Sequence, residues 1–592
     1  MKLQSYAVLM ALGMGLLSTC AHAVEPYQEY RKRIESSQRL TAFTDQMMGD
    51  SISLYNGSTE FSLTDIDIAG NNALPVQLTR RLHIKIEPAG VTSYNPDLGG
   101  AGNWDLDVPH ISGMFDSRYG WGSSTVPSQR CSLLGAPQVN GAFNTTDIWQ
   151  GNTVHIPGSG DRTMLLTEPK TLVPSDGQLH RWTTRERDAF TCIPMKKGLS
   201  GEGFAVTTTS GIRYDFDVAV TRAGGTMNYY VHGLFFELPN GGTVVRTKIY
   251  LLASKITDRF GNTVNFEYND AGYPTSISSS DGRLIALTYA NGRLSAARAN
   301  GREWRYQYET GTDEGLLTTV VRPDASQWKY AYNGTLSPNY EPWDGGSNSG
   351  CTLKPPAIVN DFGLTITHPS GAIGAFHFSN ARHYRSGIHA SACQDHVIPS
   401  DGSTYVHTYV LAIPNYFDVM SLQSKTMSGP GLVPMTWIYD YGITREGLWG
   451  TNAQAGNYPC GTCDTEKLVT VAQSDGTLRQ YRYGFLYALN EGRLLGSSVI
   501  DAKGAVQRTE STTYLPESSA SGQRFFPRYG VIINGDDPST AVVRPVVSQT
   551  TQQDAATFTM QADSGSACGG AGIYCFDVYG KPTRVIKSSK PN

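Results

Sequence analysis

Large apolar side chains recur at every second position in short runs, and each run opens on a turn glycine. Val264, Phe266 and Tyr268 follow Gly261; Ile285, Leu287 and Tyr289 follow Gly282; Trp304, Tyr306 and Tyr308 follow Gly301. Ala325 stands in the glycine's place before Trp328, Tyr330 and Tyr332. Partial copies follow Gly371 (Phe376, Phe378) and Gly476 (Tyr481, Tyr483), and Gly211 opens an earlier one with Tyr214, Phe216 and Val218. A step of two puts all the large side chains of a run on one face of a strand. The pairs Asp281-Gly282, Asn300-Gly301 and Asp475-Gly476 supply the positive backbone angles of tight hairpins. The closing tyrosines 268, 289, 308 and 332 lie 21, 19 and 24 residues apart, room for two strands and two turns per unit. A lone hairpin is marginal in water, so successive hairpins are expected to pair edge to edge. The pattern predicts one long antiparallel sheet with a buried aromatic face.

Elsewhere the periodicity is weaker. Residues 24–50, with Tyr27, Tyr30 and Ile34 at helical spacing, predict one short helix that caps or plugs the sheet. Residues 51–250 read as an irregular β region, loop-rich between 90 and 122. The repeat-like region is 251–592, with a Pro/Gly/Asn/Ser-rich insertion near 333–355 and a last hairpin closed by Cys568 and Cys575. The fold class is therefore all-β: a long antiparallel hairpin-repeat sheet behind an N-terminal β region and one short helix.

The first residues read as an address. Lys2, the apolar run Ala7–Leu17 and Ala21-His22-Ala23 form a signal peptide with cleavage expected after Ala23. Leu17-Ser18-Thr19-Cys20 half matches a lipidation box, but Thr19 is bulky for it, which favours the ordinary cleavage site. No later stretch approaches the roughly 20 apolar residues of a membrane helix. An exported protein is expected, in the periplasm, on the outer surface or secreted.

Composition sharpens this picture. Among 592 residues there are 63 Gly and 30 Pro and only 17% charged residues, against about 25% in an average domain. That excludes a coiled coil. Lys and Arg (48) nearly balance Asp and Glu (52), so no basic field exists to hold nucleic acid. Of nine cysteines, Cys20 lies in the leader, and the other eight suit a disulfide framework in an exported chain. Pairing by neighbours gives Cys131 with Cys192, Cys351 with Cys393, and Cys568 with Cys575. The Cys460-Gly-Thr-Cys463 motif fits a tight bridge, a redox pair or half a zinc site, with a structural bridge preferred.

Catalytic chemistry is harder to place. His377, His383, His389, Cys393 and His396, with His368 and His407 nearby, are metal-ligand types, but six-residue steps along a strand put neighbours roughly 20 Å apart. His377 falls between Phe376 and Phe378 and is expected to face away from them. Asp65 with Asp67, and Asp105 with Asp107, are expected to share strand faces, which does not make a glycosidase cleft. No nucleophile elbow, phosphate loop or dinucleotide fingerprint occurs. Tyr and Trp can stack on sugars, but the repeat register assigns most of them to packing. No catalytic, cofactor or metal residue is assigned.

The stretch from Leu251-Leu252-Ala253-Ser254-Lys255-Ile256-Thr257-Asp258-Arg259-Phe260-Gly261 to Tyr268 resembles the RHS/YD-repeat family. So do Tyr289-Ala290-Asn291-Gly292-Arg293-Leu294 and Phe576-Asp577-Val578-Tyr579-Gly580. Ser53-Leu54-Tyr55-Asn56-Gly57, Leu78-Thr79-Arg80-Arg81 and the Trp-containing strand opening Asn103–Ile111 are similar to the front of such proteins. The resemblance implies a hollow β-shell around a C-terminal toxin or effector. This chain stops at Asn592 without a visible self-cleaving core motif or effector domain. The expectation is a non-enzymatic partial shell at the cell envelope that encloses, displays or binds another polypeptide, with a surface glycan as a second possible partner. The alternative is an envelope carbohydrate-binding protein or glycan hydrolase.

Overall fold

The structure is a computed structural model describing residues 47–86, 97–140, 145–167, 171–228, 243–310, 315–337, 360–388, 393–400, 404–411, 416–442, 464–487, 489–515, 523, 525 and 543–591. The repeat pattern folds as its spacing predicts. Val264, Phe266 and Tyr268 are buried while Asn265 and Glu267 between them are exposed, and Ile285, Leu287, Tyr306 and Tyr330 are buried on the same face. The turns are built by side chains as well as glycines. Asp258 Oδ1 accepts the N–H groups of Phe260 and Asn262 around Gly261, and Asp501 and Asp577 do the same around Gly504 and Gly580. Ala325 takes the glycine's left-handed conformation with φ 65°. Its Cβ is strained there. Ala325→Gly is expected to stabilise the fold by about 0.5–1 kcal/mol, read as a higher urea midpoint at unchanged m-value.

The closing tyrosines have a second role, beyond filling the core. Just before Tyr268, Tyr289 and Tyr308 the pairing slips by one residue, so that these tyrosines face Pro274, Leu294 and Leu317 across β-bulges. The next tyrosine along caps each bulge. Tyr289 donates its hydroxyl to the carbonyl of Pro274 (2.9 Å), Tyr308 to Leu294 (2.7 Å) and Tyr332 to Leu317 (3.0 Å). Each repeat thus satisfies a carbonyl left over by the one before it. Tyr308→Phe would strand the Leu294 carbonyl and is expected to cost about 1–2 kcal/mol in chemical denaturation.

Residues 51–250 are more regular than their sequence suggests. β1 (Asp50–Ile52), β2 (Thr59–Asp67), β3 (Gln77–Ile84) and β4 (Asp105–Leu106) form a separate four-stranded sheet. The next strands are β5 (His110–Asp116), β6 (Thr153–Ile156), β7 (Gly160–Thr163), β8 (Leu165–Leu166), β9 (Trp182–Thr183), β10 (Ala189–Pro194), β11 (Glu202–Thr207), β12 (Arg213–Asn228) and β13 (Thr243–Thr257). β13 pairs with β12 along one side; its other side pairs with β5 through Arg246–Leu252 and with β14 (Thr263–Tyr268) through Lys255–Thr257. β5 to β13 therefore close into a small barrel, with β7 and β8 separated by Met164 alone. From β13 the long sheet runs hairpin by hairpin to Val585–Pro591. The expected start of the repeat region at residue 251 falls inside β13.

The sheet rolls around the four-stranded sheet. Phe61 of β2 stacks edge-on against Phe376 (4.8 Å), Trp104 lies 5.1 Å from Tyr330, and Tyr55 lies 5.4 Å from Tyr483. The roll also reaches back to its own beginning. Tyr579 packs on Leu165 of β8, its hydroxyl accepts the Leu172 N–H (2.9 Å), and the Arg187 guanidinium sits 5.5 Å from its ring.

Connections in this sheet are sorted by rim. On one rim, 258–262, 280–283, 300–301, 322–326, 368–372, 430–431, 474–477, 501–505 and 554–555 are all tight. The opposite rim has two short turns, 269–273 and 291–292, and all the longer connections: 309–316, 335–360, 385–415, 441–465, 485–493, 515–545 and 563–584. The barrel obeys the same rule, with 157–159 and 208–212 on the tight rim and 117–152 and 229–242 on the other.

One expectation needs correction. Residues 47–49 form a turn and Asp50–Ile52 a strand, so the helix expected over 24–50 does not extend through its last residues. The rest of that segment lies outside the described residues. A four-residue helix, Thr145–Ile148, occurs where none was expected.

Candidate functional site

The interior of the roll is lined by polar groups that tie the enclosed sheet to the wall. Arg80 of β3, fully buried, forms a bidentate pair with Asp65 of β2 (2.6 and 2.9 Å). It also donates to the Tyr330 hydroxyl (2.9 Å), while Tyr306 donates to Asp65 (2.9 Å). Its guanidinium lies 4.9 Å from the Trp104 ring. Asp50 pairs with Lys425 (2.6 Å) between Phe376 and Trp437. Near the tight rim, Arg283 donates to the carbonyls of Ile68 and Leu74. The repeat tyrosines therefore face a packed interior and not an open groove.

The carboxylate pairs are not arranged as a cleft. A register shift between Thr64 and Ile66 breaks the alternation, so Asp65 turns into the Arg80 pair while Asp67 is exposed. Asp105 accepts the Leu98 N–H (2.6 Å). Asp107 binds His155.

The histidine group is dispersed. His377 is exposed as its register predicts, 3.5 Å from Asp361. His368 pairs with Ser370 and lies edge-on to Trp328. His383 is buried, with Nδ1 3.2 Å from Lys467 Nζ and Nε2 3.0 Å from Ser421 Oγ. Ser421 donates its proton onward to the Asn56 carbonyl (2.6 Å). With Lys467 Nζ donating to Nδ1, His383 donates from Nε2 to Ser421, the reverse of what a general base requires. Burial pushes Lys467 down to about 7 and His383 well below the ordinary histidine range. His389 lies outside the described residues, as do the side chains of Cys393, His396 and His407, whose strands Cys393–Ser400 and Thr404–Leu411 pair as a hairpin.

Two of the expected disulfides are present, Cys131–Cys192 and Cys568–Cys575. Among the described residues the one group with metal-like spacing is Asp563, Cys568 and Cys575, and its two sulfurs are joined to each other. Cys351, Cys460 and Cys463, and the side chain of Cys393, lie outside the described residues.

A cluster that sequence reasoning missed lies where the enclosed sheet meets the small barrel. His155 of β6 is buried, with Nε2 2.6 Å from Asp107 and Nδ1 2.6 Å from Asp161 of β7. Arg81 of β3 approaches both ring nitrogens (3.0 and 3.3 Å) and pairs with Glu60 of β2. His110 of β5 stacks on His155 at 4.9 Å, with Nδ1 2.8 Å from the Val108 carbonyl. Burial alone would lower the His155 pKa, but its two carboxylate partners raise it. Burial and the charge of His155 push His110 down to about 3. The available signal was positional: Asp107 and His110 lie within the Asn103–Ile111 strand opening, but nothing local points to His155 across the fold.

No protein-family profile matches the chain, and no curated protein matches it.

Proposed function

We propose that the chain is an exported, non-enzymatic scaffold of the RHS/YD-repeat type, whose rolled wall displays long insertions along one rim to bind another polypeptide at the cell envelope. The carrying observation is the sorting of connections: the tight rim has turns of at most a few residues, while the other bears 335–360, 385–415 and 441–465. Segments held at the ends of a rigid sheet are where binding residues concentrate. The packing of the enclosed sheet against the wall, from Arg283 to Tyr483, favours display over enclosure. Two disulfides suit an oxidising, extracytoplasmic destination. A glycan hydrolase would need paired carboxylates across an aromatic groove, and the burial of Asp65, Tyr306 and Tyr330 in structural contacts supports the scaffold reading instead.

The test is photocrosslinking in the native envelope from Thr335 on the insertion rim and Lys503 on the tight rim, both exposed. Discrete protein adducts from Thr335 with none from Lys503 are expected. Equal labelling from both, or none from Thr335, would remove the reading.

A further inference from the structure

We propose that His155 is a proton-operated latch, which in its protonated form holds Asp107 and Asp161 at once and on losing its proton releases Asp161, loosening β7 from β6 while His155 stays bonded to Asp107. The geometry carries this. Both imidazole nitrogens sit 2.6 Å from carboxylate oxygens, Asp107 on one side and Asp161 on the other. A carboxylate only accepts, so both contacts are hydrogen bonds only when both nitrogens carry protons, that is, in the imidazolium. A neutral ring keeps one donor. The other nitrogen then turns a lone pair toward a carboxylate, and one of the two contacts becomes repulsive.

The two partners differ in what holds them. Asp107 is nearly buried and also lies 3.5 Å from Arg81, whereas the Asp161 side chain is 63% exposed and sits on the hairpin facing His155 directly across the strands. Water can take over Asp161 cheaply. Loss of the proton therefore frees Asp161 and leaves His155 bonded to Asp107. The charged and titratable groups facing His155 are Asp107, Asp161 of β7, Arg81 of β3 and His110 of β5. Glu60 of β2 stands behind Arg81, and Tyr250 of β13 behind His110. Arg81 and a charged His110 oppose the imidazolium; the three carboxylates favour it.

The sign of the pH dependence follows. A histidine whose pKa is raised on folding contributes stability fully below its unfolded value, near 6.5, and loses it as pH rises through the folded value. His110 acts in the opposite sense: its folded pKa of about 3 favours the fold above 6.5, a contribution lost as pH falls toward 3. Burial raises Asp107 and Asp161, but His155's hydrogen bonds and the charges of His155 and Arg81 together hold them low, so their contribution is present above about 4 and lost in stronger acid. The latch is closed in mildly acidic solution and opens on the alkaline side of His155's titration.

Two measurements on the full-length chain decide the matter. Histidine-selective NMR should show His155 titrating above the ordinary value, with Asp161→Asn lowering its midpoint by about one pH unit. Hydrogen exchange, corrected for the intrinsic effect of pH, should show amides of β6 and β7 losing protection through that same titration. The step should be absent in His155→Gln, a side chain that does not titrate. A midpoint at or below the ordinary value overturns the latch. So does an exchange step that persists unchanged in His155→Gln, since some other group would then be responsible. Asp161→Asn serves as the second variant because it tests the geometry without emptying the buried position.

Discussion

Replacing Arg80 by methionine is expected to destabilise the protein by about 3–5 kcal/mol. Arg80 and Asp65 have side chains 0% and 1% exposed, so the substitution leaves a carboxylate in the interior with only the Tyr306 hydroxyl to solvate it. The loss is not the worth of an ion pair. It is the cost of an orphaned charge, and that distinction can be measured. Arg80→Met combined with Asp65→Leu removes both charges together and should recover most of the loss. Urea midpoints of the two single variants and the double would show strong non-additivity. Simple addition would mean that the roll relaxes and lets water reach Asp65.

Trp104→Ala should cost a similar amount, about 3–5 kcal/mol, for a different reason. The indole is 0% exposed, lies under the Arg80 guanidinium and beside Tyr330, and donates through Nε1 to the Tyr332 hydroxyl at 3.0 Å. Its removal leaves a cavity between the enclosed sheet and the wall. It also takes a partner from Tyr332, whose own hydroxyl caps the Leu317 carbonyl. Trp104→Phe separates the two parts: it retains much of the packing and loses the hydrogen bond. The phenylalanine variant is therefore expected to fall well above the alanine one in urea midpoint. If both lose equally, the Nε1 bond and not the ring volume dominates.

These two residues also mark the limit of what the sequence discloses. The wall was legible because its information is local: a glycine, a step of two and a closing tyrosine recur within some twenty residues, and the structure places them in that register. The disulfide pairs Cys131–Cys192 and Cys568–Cys575 followed from order alone. The filling was not legible. Arg80 shares a strand face with the buried Leu78 and Leu82, but nothing nearby said that Tyr330, 250 residues later, would receive it. The same holds for His155, whose partners come from separate elements. Asp65 misled for a local reason, since a bulge beside it broke the alternation that would have paired it with Asp67.

The enclosed sheet has a consequence for how the chain is made. Residues 50–106 are synthesised before every strand that surrounds them, so the template precedes its wrapper. Each hairpin leaving the ribosome can wind onto a ready apolar strip and hook its tyrosine over the bend laid down just before. The object is then wound like a bobbin from its spindle outward, and deleting the spindle would leave later hairpins as loose thread.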